Sequence, residues 1–310
     1  MSFFVVINPH ASGGRASKKW EHIWPLAQRI LKDPVAQKTE FRGHATEITS
    51  EAIRNGYRHI ISIGGDGTHN EVINGFFDSH GKLIDEKATF SLIAAGTGSD
   101  VARALGQSTS VAASLHRIKH GSFSQKIDLG LAKFMDDEGK HKKRYFVNVA
   151  SFGLSAKVVR AVNASKIVKL PGSSTLPYLW HALKESALYS HPPTSILIDH
   201  EEKYFGPLKY IAIANFKYCG GGMFMAPGAD PSDGLFEFVL FENIPFLKSL
   251  FLSSKIYSGK HIGRPGVRHC QGKSLEATST ELVEVEMDGE CVGRLPVQMT
   301  IIPKILHVRY

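Results

Sequence analysis

The chain has 310 residues, 43% of them hydrophobic, three cysteines and a formal net charge of +8. This length can bury a sizeable core and favours two domains, while few and widely spaced cysteines (Cys219, Cys270, Cys291) exclude a disulfide framework. No apolar run reaches the ~18 residues of a membrane span, and the first residues lack the features of a signal peptide. We therefore expect a cytoplasmic protein.

The first 125 residues alternate strand-like and helix-like segments. Apolar runs at 3–7, 59–63 and 90–95 predict buried strands, each followed by a turn that contains glycine. Residues 18–31 carry apolar positions at helical spacing. This order of elements predicts a Rossmann-like α/β domain with a mostly parallel sheet.

After residue 128 the chain becomes rich in β-branched and aromatic residues that are separated by polar turns. We predict strands at 145–149, 195–198, 210–214, 235–241, 282–287 and 297–302. Helical stretches at 177–189 and 245–257 interrupt them. The pattern indicates a mainly β second domain.

The strongest signal is a glycine-rich turn, Gly-Gly-Asp-Gly-Thr, at residues 64–68. It follows an apolar strand directly and precedes a predicted helix. Glycines let backbone N–H groups approach a phosphate, and the helix N-terminus favours negative charge. The carboxylate of Asp66 beside such a site suggests Mg²⁺ between acid and phosphates. The alternative is a sharp turn with a capping residue.

Two further turns repeat this arrangement. Residues 8–14 follow the first strand, and residues 96–100 follow the third apolar run. Each alone is a weak signal, and Asp100 could serve only as a helix cap. Together the three turns predict one crevice at the carboxyl edge of the sheet, where α/β folds bind ligands. The Walker pattern is absent.

The Gly64–Gly65–Asp66 turn, continued by Asn70 and Glu71, resembles the nucleotide site of the diacylglycerol kinase catalytic-domain family. The turns at 8–13 and 96–100 fit the same pattern, most closely that of the soluble bacterial (YegS-like) lipid kinase branch. The resemblance implies an ATP-binding α/β domain at 1–125 and a lipid-substrate β-sandwich domain at 126–302. The final strand, residues 303–310, would return to the first domain.

The resemblance also implies site residues. The nucleotide contacts would be Asn8, Pro9, His10, Ala11, Ser12, Thr39, Gly64, Gly65, Asp66, Gly67, Thr68, His69, Asn70 and Thr97. A second set would form a structural Mg²⁺ loop with Asp230, Asp233 and Leu235 as ligands. Read without the family, this loop could be a plain polar turn.

Glu290 lies in a segment that resembles the family's general base. It would accept the proton of a lipid hydroxyl while ATP, held with Mg²⁺, donates its γ-phosphoryl group. In an alternative, Asp66 is the base and Glu290 positions the substrate. Asp100 and Asp128 could help to orient the metal. Without the family, Glu290 could be an exposed residue after the Asp288-Gly289 hairpin turn.

Several further expectations accompany this interpretation. The lipid substrate, most simply diacylglycerol converted to phosphatidic acid, would be met at a membrane surface through basic clusters such as residues 140–144. Nucleic acid is not expected as a partner, and a homodimer is expected from the family alone. His69 is expected to face solvent or substrate. Ser99 and Val101 depart from the family's frequent Asn and Phe.

Two other functions fit parts of the sequence. An NAD kinase shares the glycine-rich Asp turn and acts on a soluble substrate. A kinase-like regulator would bind nucleotide or lipid without turnover. The segment after the turn, which carries Asn70 and Glu71, and the acidic hairpin at Glu290 favour the lipid kinase over the first alternative. Intact Asp66, Asp233 and Glu290 argue against the second.

Overall fold

The computed structural model describes residues 2–10, 15–94, 100–107, 110–121, 124–164 and 175–310, without the side chains of 15–19 and 175–179. The chain divides into two compact units. Unit 1 comprises Met1–Ile127 with Lys304–Tyr310, and unit 2 comprises Asp128–Pro303. Within the described residues, no helix has the length and apolar character needed to cross a bilayer.

Unit 1 contains a parallel sheet. Its strands are β1 (Phe3–Ile7), β2 (Val35–Lys38), β3 (His59–Gly64) and β4 (Thr89–Ala94), in the order β4–β3–β1–β2. Strands covered on both faces read as continuous apolar runs, which is why β1, β3 and β4 were visible in the sequence. The predicted parallel sheet is confirmed.

Helices follow the strands of unit 1 along the chain. They are α1 (Arg15–Leu31), α2 (His44–Arg54), α3 (Asp66–Asn74), α4 (Asp100–Ala104) and α5 (Val111–His120). Trp20 of α1 and Leu115 of α5 are buried in one cluster with Val5 and Ile61 of the sheet. Packing of amphipathic helices against apolar strands supplies most of the stability of such a layer.

Unit 2 is built mainly from antiparallel strands, the first of which begins in unit 1. The strands are β5 (Ser124–Met135), β6 (His141–Phe146), β7 (Val149–Gly153), β8 (Pro193–Ile198), β9 (Glu201–Ala214), β10 (Phe236–Glu242), β11 (Val267–Gly272), β12 (Ser274–Ser279), β13 (Glu284–Met287) and β14 (Glu290–Arg309). The helices are α6 (Leu154–Ala164), α7 (Thr175–Leu188) and α8 (Phe246–Ile256).

The strands of unit 2 close a ring, which differs from the predicted sandwich. Antiparallel pairings run β7–β9–β8–β12–β14–β13 and return to β7. The reason is strand length: β14 pairs with β13 near Arg294 and with β12 near Met299, and β9 likewise changes partner along its length. Strands that change partner join two sheets into one closed barrel. Side chains from all six ring strands fill its core.

The last residues of β14 belong to unit 1. His307 and Val308 pair in parallel with Thr89 and Phe90 of β4. Ser91 donates a 2.7 Å hydrogen bond to the carbonyl oxygen of Arg309. The C-terminal segment therefore extends the sheet of unit 1 beyond β4, where the resemblance implied a returning strand.

Candidate active site

The parallel strands of unit 1 end at the same level. Ile7 at the end of β1 lies opposite Lys38 of β2 and Ile63 of β3, and Gly64 lies opposite Ala94 of β4. The loops that follow these strands therefore begin at one edge of the sheet. Two of the predicted turns, residues 8–10 and 64–68, are described there. Ala11, Ser12 and Thr97 lie outside the described residues.

The glycine turn changes the chain from strand to helix within one residue. Gly64 ends β3, Gly65 is extended (φ −100°, ψ −179°), and α3 begins at Asp66. A Cβ on Gly64 would lie 2.6 Å from Cβ of Thr68, so this position requires glycine. The first amides of α3 have no partner inside the helix, and together with its dipole they attract an anion.

Side chains join this turn to the loop after β1. The Asn8 amide donates a 2.9 Å hydrogen bond to the Thr68 hydroxyl and accepts one of 2.9 Å from the backbone N–H of His10. The loop after β2 is held nearby, because the N–H of Thr39 donates to the carbonyl of Ile7 at 2.8 Å. A side-chain hydrogen bond thus joins two of the predicted phosphate-binding turns.

The residues that follow Asp66 point into unit 1. His69 is buried and its Nδ1 lies 2.8 Å from Oγ of Ser62. Burial lowers the pKa of His69 to about 3, so the ring is neutral. The expectation that His69 faces solvent or substrate was therefore wrong. Asn70 is also fully buried, whereas Asp66 and Gly67 are partly accessible.

Glu71 has a role that the sequence reading missed. Its carboxylate accepts a 2.9 Å hydrogen bond from the N–H of Gly43, and its carbonyl accepts one of 2.8 Å from the Thr46 hydroxyl. Glu71 thereby attaches α3 to the start of α2, next to the loop that carries Thr39. The signal in the sequence was its place in the segment that continues the glycine-rich turn.

Asp100 begins α4 and is buried. Its carboxylate forms a 2.7 Å ion pair with Arg103, three residues further on. Acidic residues at the start of a helix are stabilised by the helix dipole. The ion pair tests neither the capping alternative nor the suggested metal role of Asp100, and both stay predictions.

The predicted metal loop of unit 2 is closed by Asp128. The carboxylate of this fully buried residue accepts a 2.7 Å hydrogen bond from the N–H of Gly234, and its own N–H donates to the carbonyl of Pro231. Inside the loop, Asp230 binds Ser232, and Asp233 accepts from the N–H of Leu235 at 2.9 Å.

The chemistry of this loop fits a partly hydrated cation. Partial burial and then the charges of Asp230, Asp128 and Glu237 raise the pKa of Asp233. In the described part of the chain, no three His, Cys, Asp or Glu side chains form a metal-binding group. Mg²⁺, however, commonly uses one or two carboxylates and keeps several waters. Asp233 supplies one such carboxylate, and the ligand set of Asp230, Asp233 and Leu235 stays a prediction.

Glu290 lies at the start of β14, directly after a two-residue hairpin turn. Asp288 (φ 49°) and Gly289 (φ 82°) both have positive φ, as the predicted Asp-Gly turn requires. The Glu290 side chain is partly accessible and forms a 2.8 Å ion pair with Arg144 of β6. The pair fixes the direction of the carboxylate.

Asp288 shapes the backbone in front of this hairpin. Its buried carboxylate accepts hydrogen bonds from the N–H groups of Val147, Asn148 and Val149, at 2.9, 2.9 and 3.2 Å. The predicted single strand at 145–149 was therefore wrong: β6 ends at Phe146 and β7 starts at Val149. Three charge-assisted hydrogen bonds to one carboxylate favour the break.

Glu286 is a second acid that the sequence reading did not identify. It is buried and accepts hydrogen bonds from the Ser151 hydroxyl at 2.6 Å and from the N–H of Gly289 at 3.0 Å. Burial raises the pKa of Glu286 to about 7, against the effect of these hydrogen bonds. Glu286 thus supports the turn that precedes Glu290.

Family models match both halves of the chain. The diacylglycerol kinase catalytic domain matches residues 2–132, and the YegS C-terminal NAD kinase beta sandwich-like domain matches residues 148–310. The chain belongs to the diacylglycerol kinase family of lipid kinases, in the branch with a YegS-type C-terminal domain. The resemblance inferred from the glycine-rich turn is confirmed.

Individual relatives are similar over nearly their whole length. The diacylglycerol kinase of Bacillus subtilis (strain 168) is 26% identical over 308 residues, covering 98% of this chain and 94% of the relative. YtlR of the same organism, which carries a provisional lipid kinase name, is 26% identical and covers 99% of each chain. A solved structure from Bacillus anthracis str. Sterne, provisionally named a diacylglycerol kinase, shares the fold with a TM-score of 0.77, 22% identity and coverage of 100% and 95%.

Proposed function

We propose that this protein is an ATP-dependent lipid kinase that phosphorylates the hydroxyl group of diacylglycerol to give phosphatidic acid. The observation that carries the proposal is the glycine turn between β3 and α3, at the carboxyl edge of the parallel sheet. The family model that covers this turn is that of a lipid kinase catalytic domain. Relatives with the name diacylglycerol kinase support the choice of substrate.

The nucleotide would bind at this edge through backbone groups. Thr68, His69 and Asn70 are buried, and the Thr68 hydroxyl accepts the Asn8 hydrogen bond. Most direct contacts to phosphate oxygens would therefore come from the amides of Gly65, Asp66 and Gly67, with the loops at Asn8 and Thr39 beside them. Such amides bind phosphate without reorganisation, since the turn is already formed.

Two acidic groups are proposed to meet magnesium. Asp66, partly accessible at the N-terminus of α3, would hold the ion that accompanies ATP. Asp233, with Asp230 and Leu235, would hold a structural ion in unit 2. When bound with ATP, Mg²⁺ neutralises charge on the phosphates and lets a poor nucleophile approach them.

Glu290 is proposed as the general base. It accepts the proton of the lipid hydroxyl, whose oxygen forms a bond to the γ-phosphorus. The bond from this phosphorus to the bridging oxygen of the β-phosphate breaks, and ADP leaves with that electron pair. Arg144 keeps the carboxylate oriented, and the Asp288–Gly289 turn fixes its backbone. In the alternative assignment, Asp66 takes the proton and Glu290 positions the hydroxyl.

The acceptor lipid requires peripheral contact with a membrane. Exposed basic residues would attract anionic headgroups, at roughly 1 kcal/mol for each well-placed side chain. A homodimer is proposed on the family resemblance alone. Neither proposal involves nucleic acid.

The test is transfer of label from γ-labelled ATP to a panel of acceptors in mixed micelles. The panel contains diacylglycerol, phosphatidylglycerol, a sphingoid base, ceramide and, without detergent, NAD. We expect labelled phosphatidic acid from the wild type and its loss in Asp66→Ala and Glu290→Ala. Glu284→Ala, which removes another 2.8 Å ion pair of unit 2, serves as the matched control.

Three results would contradict the proposal. Labelled NAD in the absence of lipid would identify the nucleotide kinase alternative. Mg²⁺-dependent ATP binding without transfer to any acceptor would identify a regulator. Full activity of both Asp66→Ala and Glu290→Ala would remove the assigned chemistry from these residues.

A further inference from the structure

Helix α8 of unit 2 has one face anchored in the fold. Leu252 and Ile256 are buried in a cluster with Phe241 and Ile244. On the same face, Ser249 accepts a 2.6 Å hydrogen bond from the ammonium group of Lys209, which is itself buried. Spacing of three and four residues places these anchors on a single stripe, so the orientation of the helix is fixed.

The opposite face of α8 exposes large apolar side chains. Leu247 is 77% exposed, Leu250 46% and Phe251 53%. Their spacing places them together on the face that points away from the anchors. Phe246 and Tyr257, at the two ends of the helix, are also exposed. Single exposed apolar residues are ordinary, but such a cluster on one short helix indicates an interaction surface.

Cations border this apolar face. The ammonium group of Lys255 lies 5.1 Å from the centre of the Phe251 ring, and the guanidinium group of Arg264 lies 5.6 Å from it. Every charged residue between Glu242 and Glu276 is basic: Lys248, Lys255, Lys260, Arg264, Arg268 and Lys273. The surface therefore combines apolar side chains with a positive potential.

We propose that α8 is the element that docks this protein on an anionic lipid surface. Leu247, Leu250 and Phe251 enter the boundary between headgroups and acyl chains, while Lys248 and Lys255 contact lipid phosphates. An apolar face with cations at its border is the pattern of helices that lie in the plane of a membrane interface. The inference rests on the proposed function, since a kinase for a membrane lipid needs such a surface.

Electrostatics favours a membrane over a second copy of the chain. A two-fold interface centred on α8 would bring the same patch against itself. Lys248 and Lys255 of both copies would then approach, and residues 243–275 offer no carboxylate to pair with them. Like charges that meet at an interface oppose association, whereas an anionic bilayer supplies the missing negative charge.

Helix α7 carries a weaker version of these features. Trp180 and Leu188 are exposed, but Lys184 and Glu185 lie between them, so the stretch has no excess of positive charge. Different results are therefore expected for the two helices: substitution of the exposed apolar side chains should weaken docking in α8 and not in α7.

The experiment is flotation of the full chain with vesicles of phosphatidylcholine, alone or mixed with phosphatidylglycerol. We expect the wild type to float with the anionic vesicles. The triple variant L247S/L250S/F251S should bind at least about tenfold more weakly, because the apolar area no longer leaves water. Lys248→Gln with Lys255→Gln should lose about tenfold as well, and the loss should disappear at high salt.

Matched controls distinguish docking by α8 from nonspecific binding through any exposed apolar side chain. Phe205→Ser and Leu282→Ser remove apolar side chains that are 73% and 59% exposed elsewhere in unit 2, and both should bind vesicles like the wild type. Sedimentation of the protein without vesicles tests the alternative occupant, a second copy of the chain. Unchanged flotation of the triple variant, or its conversion from dimer to monomer with flotation intact, would overturn the inference.

Activity measurements distinguish failure of the docking surface from failure of the proposed function. The triple variant should phosphorylate a water-soluble short-chain diacylglycerol as fast as the wild type, and vesicle-bound diacylglycerol at least about tenfold more slowly. Equal rates of the wild type and the triple variant on vesicle-bound diacylglycerol would contradict the docking inference and leave the proposed kinase activity unaffected. If the wild type floats but phosphorylates neither substrate, and the triple variant does not float, docking is supported and the kinase is rejected.

Discussion

The glycine turn of unit 1 and the acidic hairpin of unit 2 present polar groups by opposite means. In the turn, the side chains of Thr68, His69 and Asn70 are buried, and the proposed phosphate contacts are backbone amides. In the hairpin, the buried carboxylates of Glu286 and Asp288 hold the backbone, and one side chain, Glu290, is presented.

This difference separates two kinds of sensitivity. A site made of backbone amides depends on the space around the chain, and is damaged by adding an atom. A site made of one carboxylate depends on its charge, and is damaged by removing it. The two regions should therefore respond to different substitutions, and the following variants test whether they do.

The largest effect is expected in the hairpin. Glu290→Gln keeps the shape but cannot accept a proton, so kcat should fall about a thousandfold while ATP affinity stays unchanged. Glu284→Gln, which breaks the ion pair with Arg160 next to the same hairpin, is the control and should keep kcat. If Glu290→Gln lowered the ATP affinity and preserved kcat, the hairpin would serve nucleotide binding and not proton transfer.

In the turn, Gly64→Ala adds a methyl group 2.6 Å from Cβ of Thr68. The turn must shift, and overpacking of ~1–3 kcal/mol at this point should weaken ATP binding up to about a hundredfold by calorimetry. Gly56→Ala is the matched control: φ is +89° but its Cβ would lie in open space. It should reduce stability by about 1 kcal/mol and leave ATP binding intact. Equal ATP affinities in the two variants would contradict the backbone site.

Glu286 allows a test of stability against pH. The pKa of its carboxyl is raised from 4.5 to about 7 in the folded chain, so the folded state holds a proton that the unfolded state releases. Its contribution is complete below pH 4.5 and is lost as pH rises through about 7, on the order of 3 kcal/mol. Glu286→Gln should remove this slope in denaturant titrations, while Glu284→Gln should keep it.

The smallest effect is expected at the metal loop. The raised pKa of Asp233 means that its ionised form opposes folding at neutral pH. Asp233 is largely exposed, so water screens the repulsion, and relief of this repulsion by Mg²⁺ should contribute less than about 1 kcal/mol. Mg²⁺ should raise the Tm of the wild type slightly and that of Asp233→Asn not at all. An equal response in both would remove Asp233 from the metal site.

The sequence predicted features whose signal is local. The strands β1, β3 and β4 are visible because both faces are buried, and the glycine turn is visible because its first position, Gly64, has no room for a side chain. The edge strand β2 has no such signal, since its four residues are mostly exposed. The Asp288-Gly289 turn was likewise readable, because both residues adopt the positive φ for which that pair is preferred.

Three features required the tertiary structure. The closed ring of unit 2 depends on β9 and β14 changing partners along their length, and pairing between distant strands leaves no local pattern. The inward position of His69 depends on Ser62 of the preceding strand. Glu286 alternates with the core residues Val285 and Met287, so alternation alone would place it in water. The sequence by itself therefore determined the turns and the buried strands, because they follow from the preferences of neighbouring residues. Which polar side chains are buried and which remain accessible was decided by contacts between distant parts of the chain.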